Sequence, residues 1–241
     1  MMLLSISAYA GIILLICGLV AMVRPLRFIR LNSRRRGAAI VAAGSILLAF
    51  ALFWPTPLEG VSVTESALDG QMPSYHFVEH HETHIDASPG VVLDAVRAVT
   101  AREIRFFALL TWIRHPHFGR GKESILAAPP DEPILTVALR SGFVLLEERP
   151  GRELVIGVRV ASEVRGVMNF AVEPDGRGGS RLWTETRVRA ESPRALRAFT
   201  AYWRLIYPGS SLIRIEWLRA IRTRALRAAA RSAHALPPRR G

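Results

Sequence analysis

Two long stretches near the start of the chain contain no charged side chain. Residues 3–23 are apolar or small apart from two serines, Tyr9 and Cys17, and residues 37–54 are equally free of charge and end at Trp54. A helix of about 20 apolar residues is long enough to cross the ~30 Å hydrocarbon layer of a bilayer. The pattern therefore predicts two transmembrane helices, at about residues 3–23 and 37–54.

The loop between these stretches, residues 24–36, is rich in arginine and has no acid. Its arginines are Arg24, Arg27, Arg30, Arg34, Arg35 and Arg36. Short loops of this kind stay on the cytoplasmic side. A cleaved signal peptide is the alternative for the first stretch, but there the positive charge precedes the apolar run, whereas here it follows. We therefore expect a multi-pass integral membrane protein, with both termini and the soluble domain on the non-cytoplasmic side.

The composition divides the chain into four parts. Residues 1–55 form the predicted membrane hairpin, and residues 56–74 are rich in Pro, Gly and Ser without a sustained apolar period, which is typical of a linker. Residues 75–233 are long enough to form one domain with its own core, and residues 234–241 form a basic tail. The only cysteine, Cys17, lies in the first predicted membrane helix, so the domain forms no internal disulfide.

Within the domain, the spacing of the apolar residues changes from strand-like to helical and back. His76–Ile85 alternates as a strand does, a helix is predicted from Ser88-Pro89 onward, and a second short helix covers about Glu103–Arg114. Six further strands are predicted, at Lys122–Ala127, Ile134–Arg140, Phe143–Glu148, Glu153–Ala161, Val164–Glu173 and Arg181–Ala190.

A long helix is predicted to end the domain, from Pro193 to about Ala233, with a kink or break at Pro208-Gly209. An antiparallel sheet followed by one long helix must bury one sheet face against that helix, so the predicted fold class is α+β. The helix side chains expected to meet the sheet recur at three- and four-residue spacing. They are Leu196, Phe199, Trp203 and Ile206.

This order of elements, together with three local stretches, resembles the START-type polyketide cyclase and lipid-transfer superfamily, also called SRPBCC, with the helix-grip fold. His84–Val92 is similar to the family's first strand running into its first helix. Tyr202-Trp203-Arg204 and Pro208-Gly209-Ser210 resemble a pattern of membrane-associated bacterial members. The resemblance covers about residues 75–233. It implies a cavity between the curved sheet and the final helix that holds an apolar small molecule such as a lipid, and it carries over no catalytic residue.

Six residues on the predicted inward faces are candidates for the lining of such a cavity, because they combine an apolar surface with a few hydroxyl groups. They are Phe107, Phe143, Phe170, Thr184, Thr186 and Trp203. The alternative for each aromatic side chain is a place in a solid core.

The net charge of +12 is concentrated in two places. One is the loop 24–36, and the other is residues 192–241, with eleven arginines and the single acid Glu216. The candidates for contact with anionic lipid head groups are Arg214, Arg219, Arg222, Arg224, Arg227 and Arg231. The alternative is a solvated helix whose apolar side, with Ile213, Trp217 and Ile221, packs on the domain. A domain outside the cytoplasm is not expected to bind nucleic acid.

Four histidines, His76, His80, His81 and His84, lie within nine residues, and imidazole is a common metal ligand. His80, Glu82 and His84 would share one face of a strand, but alternate residues there lie about 6.5 Å apart, which is awkward for ligands ~2 Å from one ion. We therefore expect a solvated strand face, with no metal and no cofactor. His115 and His117 are expected in a loop.

The sequence offers no familiar catalytic arrangement. The domain has no thiol nucleophile, and the chain has no Gly-x-Ser-x-Gly elbow, phosphate-binding loop or dinucleotide fingerprint. The preferred hypothesis is therefore a membrane-tethered module that binds a lipid or another apolar small molecule, and no catalytic residue is predicted. The alternatives are a structural or partner-binding membrane protein with a filled core, and a cyclase- or dehydratase-like enzyme.

Overall fold

The computed structural model describes residues 2–24, 33–114, 125 and 128–235. The helices are α1 (Met2–Val23), α2 (Arg34–Phe53), α3 (Ala67–Gln71), α4 (Pro89–Ala98), α5 (Phe107–Arg114), α6 (Ile134–Arg140) and α7 (Pro193–Ala235). The strands are β1 (Glu59–Gly60), β2 (Ser74–Tyr75), β3 (Phe77–Ile85), β4 (Val144–Arg149), β5 (Glu153–Ala161), β6 (Val164–Pro174) and β7 (Ser180–Ala190). The α+β prediction is confirmed, since two apolar helices precede a five-stranded antiparallel sheet and a long final helix, consistent with a helix-grip fold.

Two compact units divide the chain. The first, here the hairpin unit, is Met1–Thr56 with Pro193–Pro208, and the second, here the sheet unit, is Pro57–Ser192 with Gly209–Gly241. Helix α7 therefore contributes its first part to one unit and its second part to the other. The helix assignment continues through Pro208, where the sequence predicts a kink or break.

In the hairpin unit, α1 and α2 are both long and apolar enough to cross a membrane, with mean hydropathies of 2.5 and 1.9. Glycines allow their backbones to approach closely. A Cβ atom on Gly44 would lie 2.8 Å from the Leu15 nitrogen, and one on Gly18 would lie 2.8 Å from the Val41 nitrogen. Both distances are shorter than real Cβ contacts, so a larger side chain at either glycine would force the helices apart.

The sheet has the order β3-β7-β6-β5-β4, and every neighbouring pair is antiparallel. Its inner face is defined here as the face that carries Ile85, Phe170 and Leu182. These side chains share a core with α4, α6 and the second part of α7. The α7 residues in this core are Trp217, Leu218, Ala220, Ile221 and Ala225.

The residues of α7 in this core come from its second part. The helix residues expected to meet the sheet, such as Phe199 and Trp203, belong to the part of α7 in the hairpin unit. Trp217 and Ile221 pack on the sheet instead, with Ile213 partly buried against the same core. Both parts of α7 carry apolar residues at helical spacing, so the periodicity does not decide which part covers the sheet.

The outer face of the sheet is covered by a segment that the sequence predicts as a linker. Within residues 56–74, α3 folds back so that Leu68 and Met72 pack on Val155 and Val167 of the sheet. The buried carboxylate of Glu153 accepts hydrogen bonds from the first backbone N–H groups of this helix. The predicted linker is therefore ordered structure over much of its length.

One predicted element has the wrong type, and another begins later than predicted. Residues Ile134–Arg140 form helix α6 and not a strand, because Ile134, Leu135, Val137 and Ala138 are all buried at helical spacing. The predicted helix 103–114 is interrupted, since Phe106 has a positive φ of 58° and α5 begins only at Phe107. The predicted strand Lys122–Ala127 lies outside the described residues except for Ile125, as do His115, His117, Arg27, Arg30 and the tail from residue 236.

Candidate ligand-binding site

The inner face of the sheet has an apolar side and a polar side. One row of paired residues crosses it, running from Ile156 through Met168 and Thr186 to Glu79. The next pair on the polar side is His81 with Thr184. In these rows the apolar residues lie on β5 and β6 and the polar ones on β7 and β3, whereas Leu182 and Ile85 keep the far ends of β7 and β3 apolar. A polar cluster therefore interrupts an otherwise apolar face.

Glu79 is the centre of the polar side and is 3% exposed. Its Oε1 lies 3.0 Å from Nε2 of His81, and its Oε2 accepts a hydrogen bond of 3.0 Å from the Ser210 hydroxyl. Burial by itself would raise the pKa of Glu79. The hydrogen bond with His81 and the positive charge of Arg214 outweigh burial, so this pKa lies below its ordinary value and the group is a carboxylate at neutral pH.

His81 connects Glu79 to the helix. Its Nε2 lies 3.3 Å from the Ser211 hydroxyl as well as 3.0 Å from Glu79. A neutral imidazole that donates from Nε2 to the carboxylate has its acceptor lone pair on Nδ1. Nε2 is thus the ring nitrogen that faces both Glu79 and Ser211, while Ser210 contacts the other carboxylate oxygen. The carboxylate, the imidazole and the two hydroxyls form one polar cluster, which is a set of groups that can bind a polar ligand atom or move a proton.

Arg214, one turn further along α7, connects the polar side to the apolar side. Its guanidinium contacts the Met168 sulfur and lies over the Trp217 ring, 5.6 Å from the ring centroid. Trp217 in turn packs edge to face on Phe170, with ring centroids 5.1 Å apart. This aromatic pair packs α7 directly on β6 in the core.

Trp217 also carries an unusual polar atom. The residue is 4% exposed, yet its indole Nε1 has no hydrogen-bond partner among the residues that the structure describes. A buried indole N–H normally finds an acceptor, because leaving it unpaired costs about 1–3 kcal/mol.

The six residues predicted to line the cavity are divided between the two units. Phe107, Phe170 and Thr184 are buried in the sheet unit, Phe143 is partly buried against the same core, and Thr186 is paired with Glu79. The Thr184 hydroxyl donates to the Asn169 carbonyl, so it serves the sheet itself. Trp203 lies in the hairpin unit, where its ring contacts Phe199 and Tyr207.

The arginines of the final helix also divide. Arg214 belongs to the site, Arg219 forms an ion pair with Glu216, and Arg224 forms one with Glu103 at 2.8 Å. Arg219 is exposed despite this pair, and Arg222, Arg227 and Arg231 are exposed as well. A groove of about 580 Å³ beside the helix is lined by Arg105, Arg219, Arg222 and Arg227 together with two carboxylates, and by none of the six residues predicted to line the cavity.

The histidines that suggested a metal site lie on the opposite face of β3. His80 pairs with Glu185 at 3.2 Å and approaches Glu82 at 3.8 Å. Within residues 2–24, 33–114, 125 and 128–235, no three His, Cys, Asp or Glu side chains are grouped as metal ligands. These groups form a surface ion-pair network.

Sequence reasoning missed Glu79, His81, Ser210 and Ser211. A signal was present on β3, since its buried ends, Phe77 and Ile85, have the same parity as Glu79 and His81 and therefore place both on the inner face. His80 and His84, on the opposite face of β3, have the spacing of a metal motif, which favoured that face in the sequence analysis. The two serines depend on which part of α7 covers the sheet, which the sequence did not reveal.

No protein-family model matches the chain, and no curated protein matches it. Solved structures do match. A protein from Mesorhizobium loti is 15% identical, with 63% of this chain and 98% of that chain covered and a TM-score of 0.35. Ara h 8.0201 is 9% identical, with coverage of 63% and 98% and a TM-score of 0.32. CalU16 from Micromonospora echinospora is 14% identical, with coverage of 74% and 97% and a TM-score of 0.27. At such identities and TM-scores, the matches assign no ligand or activity to this chain.

Proposed function

We propose that this protein is a membrane-tethered domain of the SRPBCC type that binds one lipid or similar small molecule between the inner sheet face and the second part of α7. The observation that carries the proposal is the buried Trp217 indole N–H without an acceptor among the described residues, on the same part of α7 as the serines that contact Glu79 and His81. A core built only for stability has little use for a buried carboxylate or for a buried donor without an acceptor.

The same arrangement indicates the kind of ligand. The apolar body of the molecule would lie against side chains such as Phe170 and Leu182. A polar group that both accepts and donates hydrogen bonds would reach the Trp217 N–H, the His81 imidazole and the Ser211 hydroxyl. We therefore propose an amphipathic ligand with a hydroxyl, amide or carbonyl group near one end.

The membrane topology is part of the proposal. Helices α1 and α2 would cross the bilayer as a hairpin, with the arginine-rich loop on the cytoplasmic side and the sheet unit on the other side. We also propose that the exposed Arg222, Arg227 and Arg231 face anionic lipid head groups.

Extraction of bound molecules tests the proposal. The full chain would be purified in detergent, exposed to a membrane lipid extract, purified again and analysed for bound apolar molecules by mass spectrometry. Phe170→Trp, which fills the apolar side, and His81→Gln, which changes the polar side, should lower the amount of bound molecule. His80→Gln is the matched control, because His80 is the neighbouring residue on the opposite face. Equal binding by all variants would place the molecule outside this site.

The pairing of His81 with Glu79 favours acid–base chemistry on the bound molecule as a second candidate function. A carboxylate that fixes the orientation of an imidazole is a common arrangement for a general base. After long incubation, the wild-type protein would release a rearranged molecule of the same mass and different chromatographic retention, or a dehydrated one lighter by one water, whereas His81→Gln would release it unchanged. An unchanged mass and retention from the wild-type protein in every extract would argue against catalysis.

A further inference from the structure

We propose that the segment Pro193–Pro208 of α7 is a third part of the membrane anchor, an interfacial helix that lies among the lipid head groups at the Trp54 end of α2 and is held there by Arg204. This inference rests on the proposed membrane-spanning hairpin. The start of the final helix would then contact lipid head groups, whether or not the ligand site binds a molecule.

A backbone carbonyl in the last turn of α2 lacks its usual hydrogen-bond donor. Ala51 lies in the last turn of that helix, and its carbonyl would accept a hydrogen bond from the backbone nitrogen four residues later. That residue is Pro55, which has no N–H. At the edge of a bilayer such a carbonyl needs another donor, because an unsatisfied backbone group in an apolar environment is costly.

Arg204 supplies this donor. Its Nη1 donates to the Ala51 carbonyl at 2.6 Å, and its Nη2 donates to the Trp54 carbonyl at 2.7 Å and lies 3.2 Å from the Thr56 hydroxyl. The residue is completely buried. A guanidinium at the carboxyl end of a helix is also favoured by the helix dipole. Arg204 therefore caps the second membrane helix from a position 150 residues further along the chain.

Further contacts join the same segment to the hairpin. The Tyr9 hydroxyl donates to the Leu205 carbonyl at 2.7 Å, and the hydroxyls of Thr56 and Thr200 lie 3.3 Å apart. Thr200 and Arg204 are four residues apart and so lie on one side of the helix, towards the end of α2.

The composition of the segment fits the head-group layer. The half-buried Tyr202 and Tyr207 lie on it, and the exposed Trp54 and Tyr9 lie on the elements it contacts. Tryptophan and tyrosine are enriched at this depth because their rings are amphipathic. The exposed Arg194 and Arg197 add positive charge, which attracts anionic lipids.

Spin labels measure the depth directly in the full chain, reconstituted into nanodiscs of phosphatidylcholine and phosphatidylglycerol. Cys17→Ser removes the native thiol, and single cysteines are then placed at Ala198, Ile46 and Arg177, the last in the exposed turn between β6 and β7. Relative accessibility to oxygen and to a water-soluble nickel chelate reports depth. The label at residue 198 should give a depth between those at residues 46 and 177, near the head groups. A value at residue 198 equal to that at residue 177, with residue 46 deep, would overturn this inference alone. An aqueous value at residue 46 would instead overturn the membrane-spanning hairpin.

The role of Arg204 is tested in the same system. Arg204→Met should move the label at residue 198 to the aqueous value while residue 46 stays deep, and Arg204→Lys should restore part of the depth because one ammonium can still donate to one carbonyl. Arg197→Met is the matched control, since Arg197 lies on the same segment but is exposed. An unchanged depth at residue 198 in Arg204→Met would show that Arg204 does not hold the segment.

Discussion

Replacement of Arg187 by methionine tests how the predicted linker is held on the outer face of the sheet. Arg187 lies on β7, and its Nη2 donates to Asp69 of α3 at 2.7 Å. Its Nη1 donates to the Met72 carbonyl at 3.1 Å, and its Nε donates to Glu185 at 2.6 Å. The side chains of Arg187 and Asp69 are both only 8% exposed, so this is a buried ion pair.

The expected loss of stability follows from what remains after the substitution. Removal of one partner of a buried pair typically costs about 3–5 kcal/mol, because the other charge stays buried. Asp69 would keep its hydrogen bonds from the backbone of Glu65 and Ser66, at 3.0 and 2.8 Å, which compensates part of the loss. We therefore expect about 3 kcal/mol, which lowers the Tm of a domain of this size by ~6–12 °C.

Arg181→Met is the matched control on the same strand. Arg181 pairs with Glu173 at 3.2 Å, but its side chain is 44% exposed, so its loss should cost less than ~1 kcal/mol. Thermal unfolding of the full chain in detergent, followed by circular dichroism, measures both variants. Amide hydrogen exchange should increase across α3 in Arg187→Met only. Equal and small losses in the two variants would refute the reasoning that the pair anchors α3.

Three further outcomes are expected. Gly44→Leu should separate α1 from α2 and abolish cross-linking between them, because a Cβ atom at Gly44 already meets backbone at 2.8 Å. Ile221→Ala should lower the free energy of unfolding by about 2–5 kcal/mol, whereas Ile215→Ala, on the exposed side of the same helix, should cost under ~1 kcal/mol; equal losses would contradict the packing described. The hydrogen bond with Glu185 raises the pKa of His80, so this pair stabilises the fold fully below the unfolded pKa of ~6.5 and loses its effect as the pH rises through the folded pKa. His80→Gln should flatten this pH dependence of the Tm, and an unchanged profile would show that the pair contributes nothing.

The sequence predicted those elements whose pattern is local and unambiguous. The two uncharged stretches gave α1 and α2, and strict alternation gave β3, β5, β6 and β7 within one or two residues. Ser88-Pro89 marked the start of α4, and the α+β class followed from the order of elements. These features depend on spacing within one segment, which is what periodicity records.

The sequence could not predict features that depend on tertiary partners. Ile134–Arg140 contains β-branched residues and also an apolar helical spacing, and only its packing selects the helix. The two parts of α7 are similarly apolar, so the choice of Trp217 over Trp203 as the residue facing the sheet required the structure.

The candidate site shows the same limit. Phe170 was predicted on the inner face from alternation alone. Alternation along β3 likewise places Glu79 on the inner face. The contact of Ser210 with Glu79, however, joins positions 131 residues apart. No local pattern encodes that contact.

Native mass spectrometry of the full chain, released from nanodiscs after exposure to membrane extract, tests the central claim most directly. The account predicts one retained small-molecule adduct per chain in the wild-type protein and in His80→Gln, and a reduced adduct in His81→Gln and Phe170→Trp. A clean ligand-free mass for the wild-type protein would contradict the ligand site and favour a structural or partner-binding role.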